Sequence, residues 1–122
     1  MPKSKLFPTV LALGAATLLI AAFASGEGIR PALKKVEAKK VCMINNQLFE
    51  KDQIPVSVEG KTYYGCCEMC KERLTKDRAA RTALDPVTHK EVDKATAVIA
   101  AQPDGKVLYF QSEKTLAEYQ KN

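Results

Sequence analysis

Alternating apolar and polar residues predict a β-hairpin followed by a helix in the middle of the chain. Residues 54–58 alternate with the period of a half-buried strand, and residues 61–64 return as a second strand after the turn Glu59-Gly60. A helix is expected to follow over about 66–83, with Lys and Arg on its exposed face, until Asp85-Pro86 stops it.

The same order of elements recurs nearer the C-terminus. Strands are expected over 95–101 and 106–110, on either side of a turn at 103–105 that contains Pro, Asp and Gly. Ser112 is a good N-cap for a last helix that runs to about Gln120. The second part of this region therefore predicts another hairpin and helix.

The two predicted hairpins also correspond in sequence. Gly60-Lys-Thr-Tyr-Tyr64 matches Gly105-Lys-Val-Leu-Tyr109, which indicates an internal repeat of about forty residues. We expect an α+β fold of two tandem small ββα modules that share one core, over residues 41–84 and 85–122. The first module carries all four cysteines of the chain, and the second carries none.

The N-terminal residues have the pattern of an export signal. Residues 1–24 combine a short basic start, an uncharged apolar run over 6–23 and small residues before Ser25, which predicts a secretory signal peptide cleaved after Ala24. The alternative is an uncleaved membrane anchor formed by residues 6–23. In both cases the cysteines lie outside the cytoplasm, so we expect an exported protein in the periplasm or cell envelope.

Residues 25–40 are expected to be a basic, solvated linker, because no apolar residue recurs in them often enough to bury a face. The formal net charge of the chain is +5, but residues 42–122 contain twelve basic and twelve acidic side chains. The positive charge therefore belongs to the leader and linker, and the modules offer no basic face for nucleic acid. Contact with a membrane is expected only through the N-terminal segment.

The cysteines supply the candidate chemistry. Cys66 and Cys67 lie four and three residues before Cys70, so a helix that starts here would place their Cβ atoms roughly 5–6 Å apart on one face. Thiolates are favoured at a helix N-terminus, and Cys42 could close the site from a turn elsewhere in the chain. Thiolate ligands select soft metals, which predicts copper(I) or zinc at Cys42, Cys66 and Cys70, with Cys67 as a fourth ligand or a spare thiol.

Two other uses of these thiols remain open. Outside the cytoplasm Cys42 could form a disulfide with one of the other cysteines, or Cys67-x-x-Cys70 could exchange disulfides. Met69 is expected to pack rather than to bind metal, and His89, the only histidine, is expected to be solvated in a turn. No catalytic set of residues stands out, so an enzyme is not expected.

The stretch Tyr63-Tyr64-Gly65-Cys66-Cys67-Glu68-Met69-Cys70-Lys71 resembles the YHS and TRASH domains. This resemblance implies a treble-clef-like module used in heavy-metal trafficking, resistance or sensing. Cys42, Cys66 and Cys70 match the metal-ligand positions of that family. Cys67 stands where the family often has Ser, and Asn45 replaces the second cysteine of the first knuckle.

The second repeat resembles the same family through Asp85-Pro86-Val87, Gly105-Lys106, Tyr109-Phe110 and Ser112-Glu113, with Thr88, Gln111 and Thr115 where cysteines would be expected. The resemblance implies a copy that has lost its metal and keeps its fold by packing.

These observations predict an exported soft-metal-binding protein for metal trafficking, buffering or resistance. Its expected partners are the metal ion and a metal efflux system or metalloenzyme that receives it. The alternatives are a structural or interaction module that zinc or a disulfide stabilises, and a thiol–disulfide redox protein.

Overall fold

Short antiparallel hairpins and two helices make up the part of the protein that its computed structural model describes, residues 31–122. The expected signal peptide or anchor over 1–24, and the start of the linker over 25–30, lie outside these residues. Neither helix within 31–122 is long and apolar enough to cross a membrane.

The structure is α+β, as the hydrophobic pattern predicts. The strands are β1 (Lys34–Lys35), β2 (Val41–Cys42), β3 (Gln47–Leu48), β4 (Ile54–Val58), β5 (Lys61–Gly65), β6 (Thr82–Leu84), β7 (Glu91–Asp93), β8 (Val98–Ala101) and β9 (Val107–Phe110). The α-helices are α1 (Glu68–Lys76) and α2 (Glu113–Lys121), and 3-10 helices span Ala38–Lys40 and Arg78–Arg81.

The order of elements recurs in two halves. β2–β3 and β4–β5 are antiparallel hairpins that precede α1, and β6–β7 and β8–β9 are antiparallel hairpins that precede α2. In each half a short hairpin stands before the longer one, where the sequence indicated only a turn. The tips of the short hairpins contain Asn46 and His89, both with positive φ (52° and 57°).

The two halves share buried apolar side chains. One cluster contains residues of β2, β5 and α1 together with residues of β7, β8 and β9: Val41, Met43, Val56, Tyr63, Leu74, Ala80, Val92, Ile99, Ala101, Val107 and Tyr109. A smaller cluster under α2 is formed by Ala100, Phe110 and Leu116. Burial of this apolar surface stabilises both halves together, which is why they form one domain.

The expected linker needs a correction over its described part. Lys34–Lys35 form β1, which pairs antiparallel with β8, and the Val36 N–H donates to the Ile99 carbonyl oxygen at 2.9 Å. Strand pairing here uses backbone groups while the lysine side chains stay exposed, so the sequence shows no apolar period. The second half of the linker is therefore part of the domain.

The helix predicted over 66–83 is also shorter than expected. α1 begins after Cys67 and ends before Asp77, whose backbone is extended (φ −109°, ψ 108°). The Asp77 carboxylate accepts from the Ala79 N–H at 2.9 Å and starts a 3-10 helix instead. The Arg81 guanidinium donates to the Leu74 carbonyl oxygen at 2.8 Å, which satisfies an acceptor at the end of α1.

Candidate metal centre

Three thiols from two distant parts of the chain converge in the first half. Cys42 ends β2, Cys66 directly follows β5, and Cys70 lies in the first turn of α1. Their sulfur atoms all lie within 4.8 Å of one another, and the Sγ atoms of Cys66 and Cys70 are 3.6 Å apart. Three sulfurs that bind one ion at about 2.3 Å lie roughly 3.8–4.0 Å apart, so the three-cysteine cluster could bind a metal ion.

Close packing fixes the cluster. A Cβ atom on Gly65 would lie 2.8 Å from the Cβ of Cys70, so only glycine lets the end of β5 approach α1 this closely. The Met43 N–H donates to the Tyr64 carbonyl oxygen at 2.9 Å and joins the turn after Cys42 to β5. Sulfurs from the two segments are therefore held together by backbone as well as by side chains.

The cluster also lies against the second half of the domain. The buried Lys94 ammonium donates to the Met43 carbonyl oxygen at 2.6 Å and to Asn46 Oδ1 at 3.1 Å. Tyr109 donates its hydroxyl to the same Asn46 oxygen at 2.9 Å. Burial lowers the pKa of Lys94 to about 8, although the nearby Cys42 favours its charged form. The second half thus supports the turn that carries Cys42.

Burial and hydrogen bonds shift the pKa values of the cluster thiols in different directions. Burial raises the pKa of Cys42, but the backbone N–H groups of Asn45 and Ile44 outweigh this and leave the pKa lowered. The Cys66 thiol, hydrogen-bonded to Cys42, has its pKa raised to about 12, and burial raises the pKa of Cys70. Of these two sulfurs, Cys42 therefore has the environment that favours the thiolate and Cys66 the environment that favours the thiol.

The exposure of the cluster is uneven. Cys42 is fully buried and Cys70 is 7% exposed, whereas Cys66 is exposed to solvent. A groove of about 520 Å³ opens beside Cys66, lined in part by Phe49 and Ile54. An ion at the cluster would therefore lie near the surface on the Cys66 side.

Cys67 is not part of the three-sulfur group. It is the exposed N-cap residue of α1, and its Sγ lies 3.3 Å from the Sγ of Cys70. The backbone N–H of Cys70 lowers the pKa of Cys67. All four cysteines are free thiols. Whether Cys67 serves as a fourth ligand stays a prediction.

The expectation that Met69 packs against the domain is wrong. Met69 is 80% exposed in the first turn of α1, because its position directs its side chain away from the core face that contains Cys70 and Leu74. His89 is exposed at the tip of the β6–β7 hairpin, outside the three-sulfur group, which confirms the expectation of a solvated turn residue.

The second half contains a buried carboxylate at the position of Cys42. Asp85 follows β6 as Cys42 ends β2, and each lies four residues before the positive-φ residue of its hairpin tip. Asp85 is fully buried, and its Oδ1 accepts from the N–H groups of Val87 at 2.7 Å and Thr88 at 3.2 Å. Ile44 and Asn45 occupy the equivalent positions beside Cys42.

The other cysteines have counterparts on the same carboxylate. Asp85 Oδ2 accepts from the Gln111 N–H and from the Thr115 hydroxyl, both at 2.7 Å. Gln111 follows β9 as Cys66 follows β5, and Thr115 is the third residue of α2 as Cys70 is of α1. The four donors thus meet around one carboxylate where the first half has three sulfurs.

The second copy is packed as expected, and this buried carboxylate adds a polar centre to that packing. Asp85 joins the short hairpin to β9 and α2 through charged hydrogen bonds, which are stronger than neutral ones. From the sequence, Asp85 was expected only to end the preceding helix and to belong to the motif of the second copy. The two copies differ in length by two residues before their longer hairpins, so a constant offset from the helix caps places Val87, and not Asp85, opposite Cys42.

No protein-family model, curated protein or solved structure matches this chain.

Proposed function

We propose that Cys42, Cys66 and Cys70 bind a soft metal ion, copper(I) or zinc, and that the protein carries or buffers this ion. The observation that carries the proposal is the convergence of the three sulfurs within 4.8 Å from two segments 24 residues or more apart in the chain. Thiolates prefer soft cations, and three of them suit copper(I) as well as zinc with an added ligand.

A carrier must release its ion without unfolding, and two features support that property here. The apolar cluster shared by both halves contains none of the four cysteines. The second half keeps the same order of elements around the Asp85 carboxylate instead of an ion. A metal that only stabilised the fold would contribute folding energy directly, and its removal would unfold the protein.

The setting of this function is part of the proposal. The resemblance of residues 63–71 to YHS and TRASH domains supports a role in metal trafficking, buffering or resistance, carried out by two tandem treble-clef-like modules. The export pattern of residues 1–24 supports the periplasm or cell envelope as its location. A metal efflux system or a metalloenzyme would receive the ion, and the protein itself would bind rather than catalyse.

Native mass spectrometry of the reduced protein tests the binding site. Wild type should bind one copper(I) or zinc ion per chain, and Cys42→Ser or Cys70→Ser should lose it, since each removes a sulfur from the group. Asn45→Ala is a matched control that removes a 3.6 Å contact to the Cys66 sulfur but no ligand, so it should still bind. A wild-type protein that is fully oxidised and binds neither metal after gentle reduction would contradict the proposal.

Thermal melting with and without a chelator separates a carrier from a structural metal site. A carrier should retain a cooperative transition after the ion is stripped, with a melting temperature lowered only by the lost binding free energy. Collapse of the stripped protein would favour the structural module. Melting with and without a reductant would reveal a stabilising disulfide in the same series.

A further inference from the structure

Cys67 is the N-cap residue of α1, a position at which a serine would stabilise the helix more. The two N-cap residues have the same backbone conformation, with φ −156° and ψ 172° at Cys67 and φ −158° and ψ 169° at Ser112. The Ser112 side chain accepts from the Thr115 N–H and completes a capping box, whereas Cys67 makes no side-chain cap bond. The start of α1 therefore lacks the stabilising cap hydrogen bonds that the start of α2 has.

The thiol at this cap lies against the metal cluster. Its Sγ is 3.3 Å from the Sγ of Cys70, which belongs to the three-sulfur group. A residue that breaks a local rule of helix capping while adding a reactive group beside a candidate site indicates a functional role.

The sulfurs at this point differ in exposure. Met69 is 80% exposed and Cys66 and Cys67 are exposed, whereas Cys70 is 7% exposed and Cys42 is fully buried. An ion that arrives from solvent can meet Cys67 or Cys66 without any movement of the core, and of these two only Cys67 lies outside the three-sulfur group.

We propose that Cys67 and Cys70 form a loading site, where a soft metal ion is taken from an external thiolate complex before it passes to Cys42 and Cys66. This inference rests on the proposed function of the three-cysteine cluster. Its substrate is a copper(I) or zinc ion bound to small thiol ligands.

The transfer is a series of ligand exchanges without oxidation or reduction. The Cys67 sulfur forms a bond to the ion, one donor thiolate leaves, and that thiolate takes up the proton that the Cys67 thiol gives up. Cys70 displaces the next donor ligand in the same way. Cys42 and Cys66 then bind the ion and give any thiol proton to solvent, while Cys67 releases the ion and takes up a proton from solvent.

Stopped-flow transfer of copper(I) from a glutathione complex, under anaerobic conditions, tests the loading site. Cys67→Ser should slow loading by about tenfold or more, since one early sulfur contact is lost from the rate-limiting exchange. Its equilibrium affinity, measured by competition with a chromophoric chelator, should change by less than about threefold, because the final ligands remain. Its melting temperature should rise, because the serine can cap α1.

A matched control places the same thiol at the same cap in the other half. Ser112→Cys should lower the melting temperature through loss of the capping box and should leave the loading rate unchanged. This control separates an effect of the sulfur beside Cys70 from an effect of helix stability.

Each outcome decides between the proposals. A wild type that binds no metal overturns the proposed function and the loading site together. If wild type binds metal and Cys67→Ser loads at the same rate, only the loading site is overturned. If Cys67→Ser loses equilibrium affinity as Cys70→Ser does, Cys67 is a permanent ligand and the loading role is wrong. Slower loading at unchanged affinity supports it.

Discussion

Replacing Asp85 by Asn tests whether a carboxylate holds the second half together where the first half has sulfurs. The substitution keeps the size of the side chain and removes its charge. It also replaces Oδ2, which accepts from the Gln111 N–H and the Thr115 hydroxyl, by an amide that can only donate. The Thr115 hydroxyl can rotate to accept from the new amide, but the Gln111 N–H cannot.

The cost follows from the hydrogen bonds that are lost. A hydrogen bond to a charged group contributes about 1.5–3 kcal/mol, and a buried donor left without a partner costs about 1–3 kcal/mol. We expect Asp85→Asn to lower the free energy of unfolding by about 3 kcal/mol. For a domain of this size 1 kcal/mol shifts the melting temperature by about 4–8 °C, so the expected decrease is on the order of 15 °C.

The effect should depend on pH in a definite direction. Burial raises the pKa of Asp85, but the N–H of Gln111, the Thr115 hydroxyl and the remaining donors outweigh it and leave the pKa lowered. A carboxyl group with a lowered folded-state pKa stabilises the fold fully above its unfolded value, about 3.9. That stabilisation is lost as the pH falls through the folded-state pKa, so the difference between wild type and variant should shrink below about pH 4.

Thermal and urea unfolding of metal-free protein at pH 7 and at pH 3 measure both expectations. Asp104→Asn is the control, because this exposed carboxylate accepts one backbone N–H, from Lys106 at 3.0 Å, and should change stability by less than about 0.5 kcal/mol. The reasoning is refuted if Asp85→Asn melts within about 2 °C of wild type at pH 7. A difference that is as large at pH 3 as at pH 7 would refute the charge-based explanation alone.

Further expectations concern the sulfur site and its counterpart. The triple variant Asp85→Cys, Gln111→Cys, Thr115→Cys should bind a second ion per chain by native mass spectrometry, and a stoichiometry that stays at one would show that the halves are not equivalent. Gly65→Ala should lower metal affinity and destabilise the fold by about 1–3 kcal/mol, because its Cβ would lie 2.8 Å from a cluster cysteine. Gly60→Ala, with φ +77° and no atom within 4 Å, should cost about 1–2 kcal/mol but leave affinity unchanged in the same chelator competition. Affinity for zinc should fall as the pH is lowered from 8 to 6, since binding displaces thiol protons, and a flat profile would contradict thiolate ligation.

Local chemistry made several elements predictable from the sequence. The hairpin about Glu59-Gly60 combines an alternating pattern with two residues of positive φ, and Ser112 has the side chain that an N-cap requires. The convergence of Cys42 with Cys66 and Cys70 was predictable from their spacing and chemistry. For the hairpin, the helix cap and the Cys66–Cys70 pair the signal lies within a few residues of the structure that it specifies, whereas Cys42 is 24 residues from Cys66 and was placed with them by its chemistry.

The features that sequence reasoning missed depend on distant partners. The pairing of Lys34–Lys35 with β8 uses backbone groups and leaves no mark in the side-chain pattern. The early end of α1 depends on the Asp77 carboxylate, which starts another turn in place of the helix. The role of Asp85 is visible only when β9 and α2 bring Gln111 and Thr115 against it.

The pairing of β1 with β8 also has a mechanical consequence. Gln120 donates to the Leu33 carbonyl oxygen at 3.0 Å and Lys35 forms an ion pair with Glu113, so the first described residues are attached to the half that lacks cysteines. Tension applied through residue 31 would be resisted by these contacts before it reached β2. Whatever precedes the domain could therefore be pulled or held without distorting the three thiols.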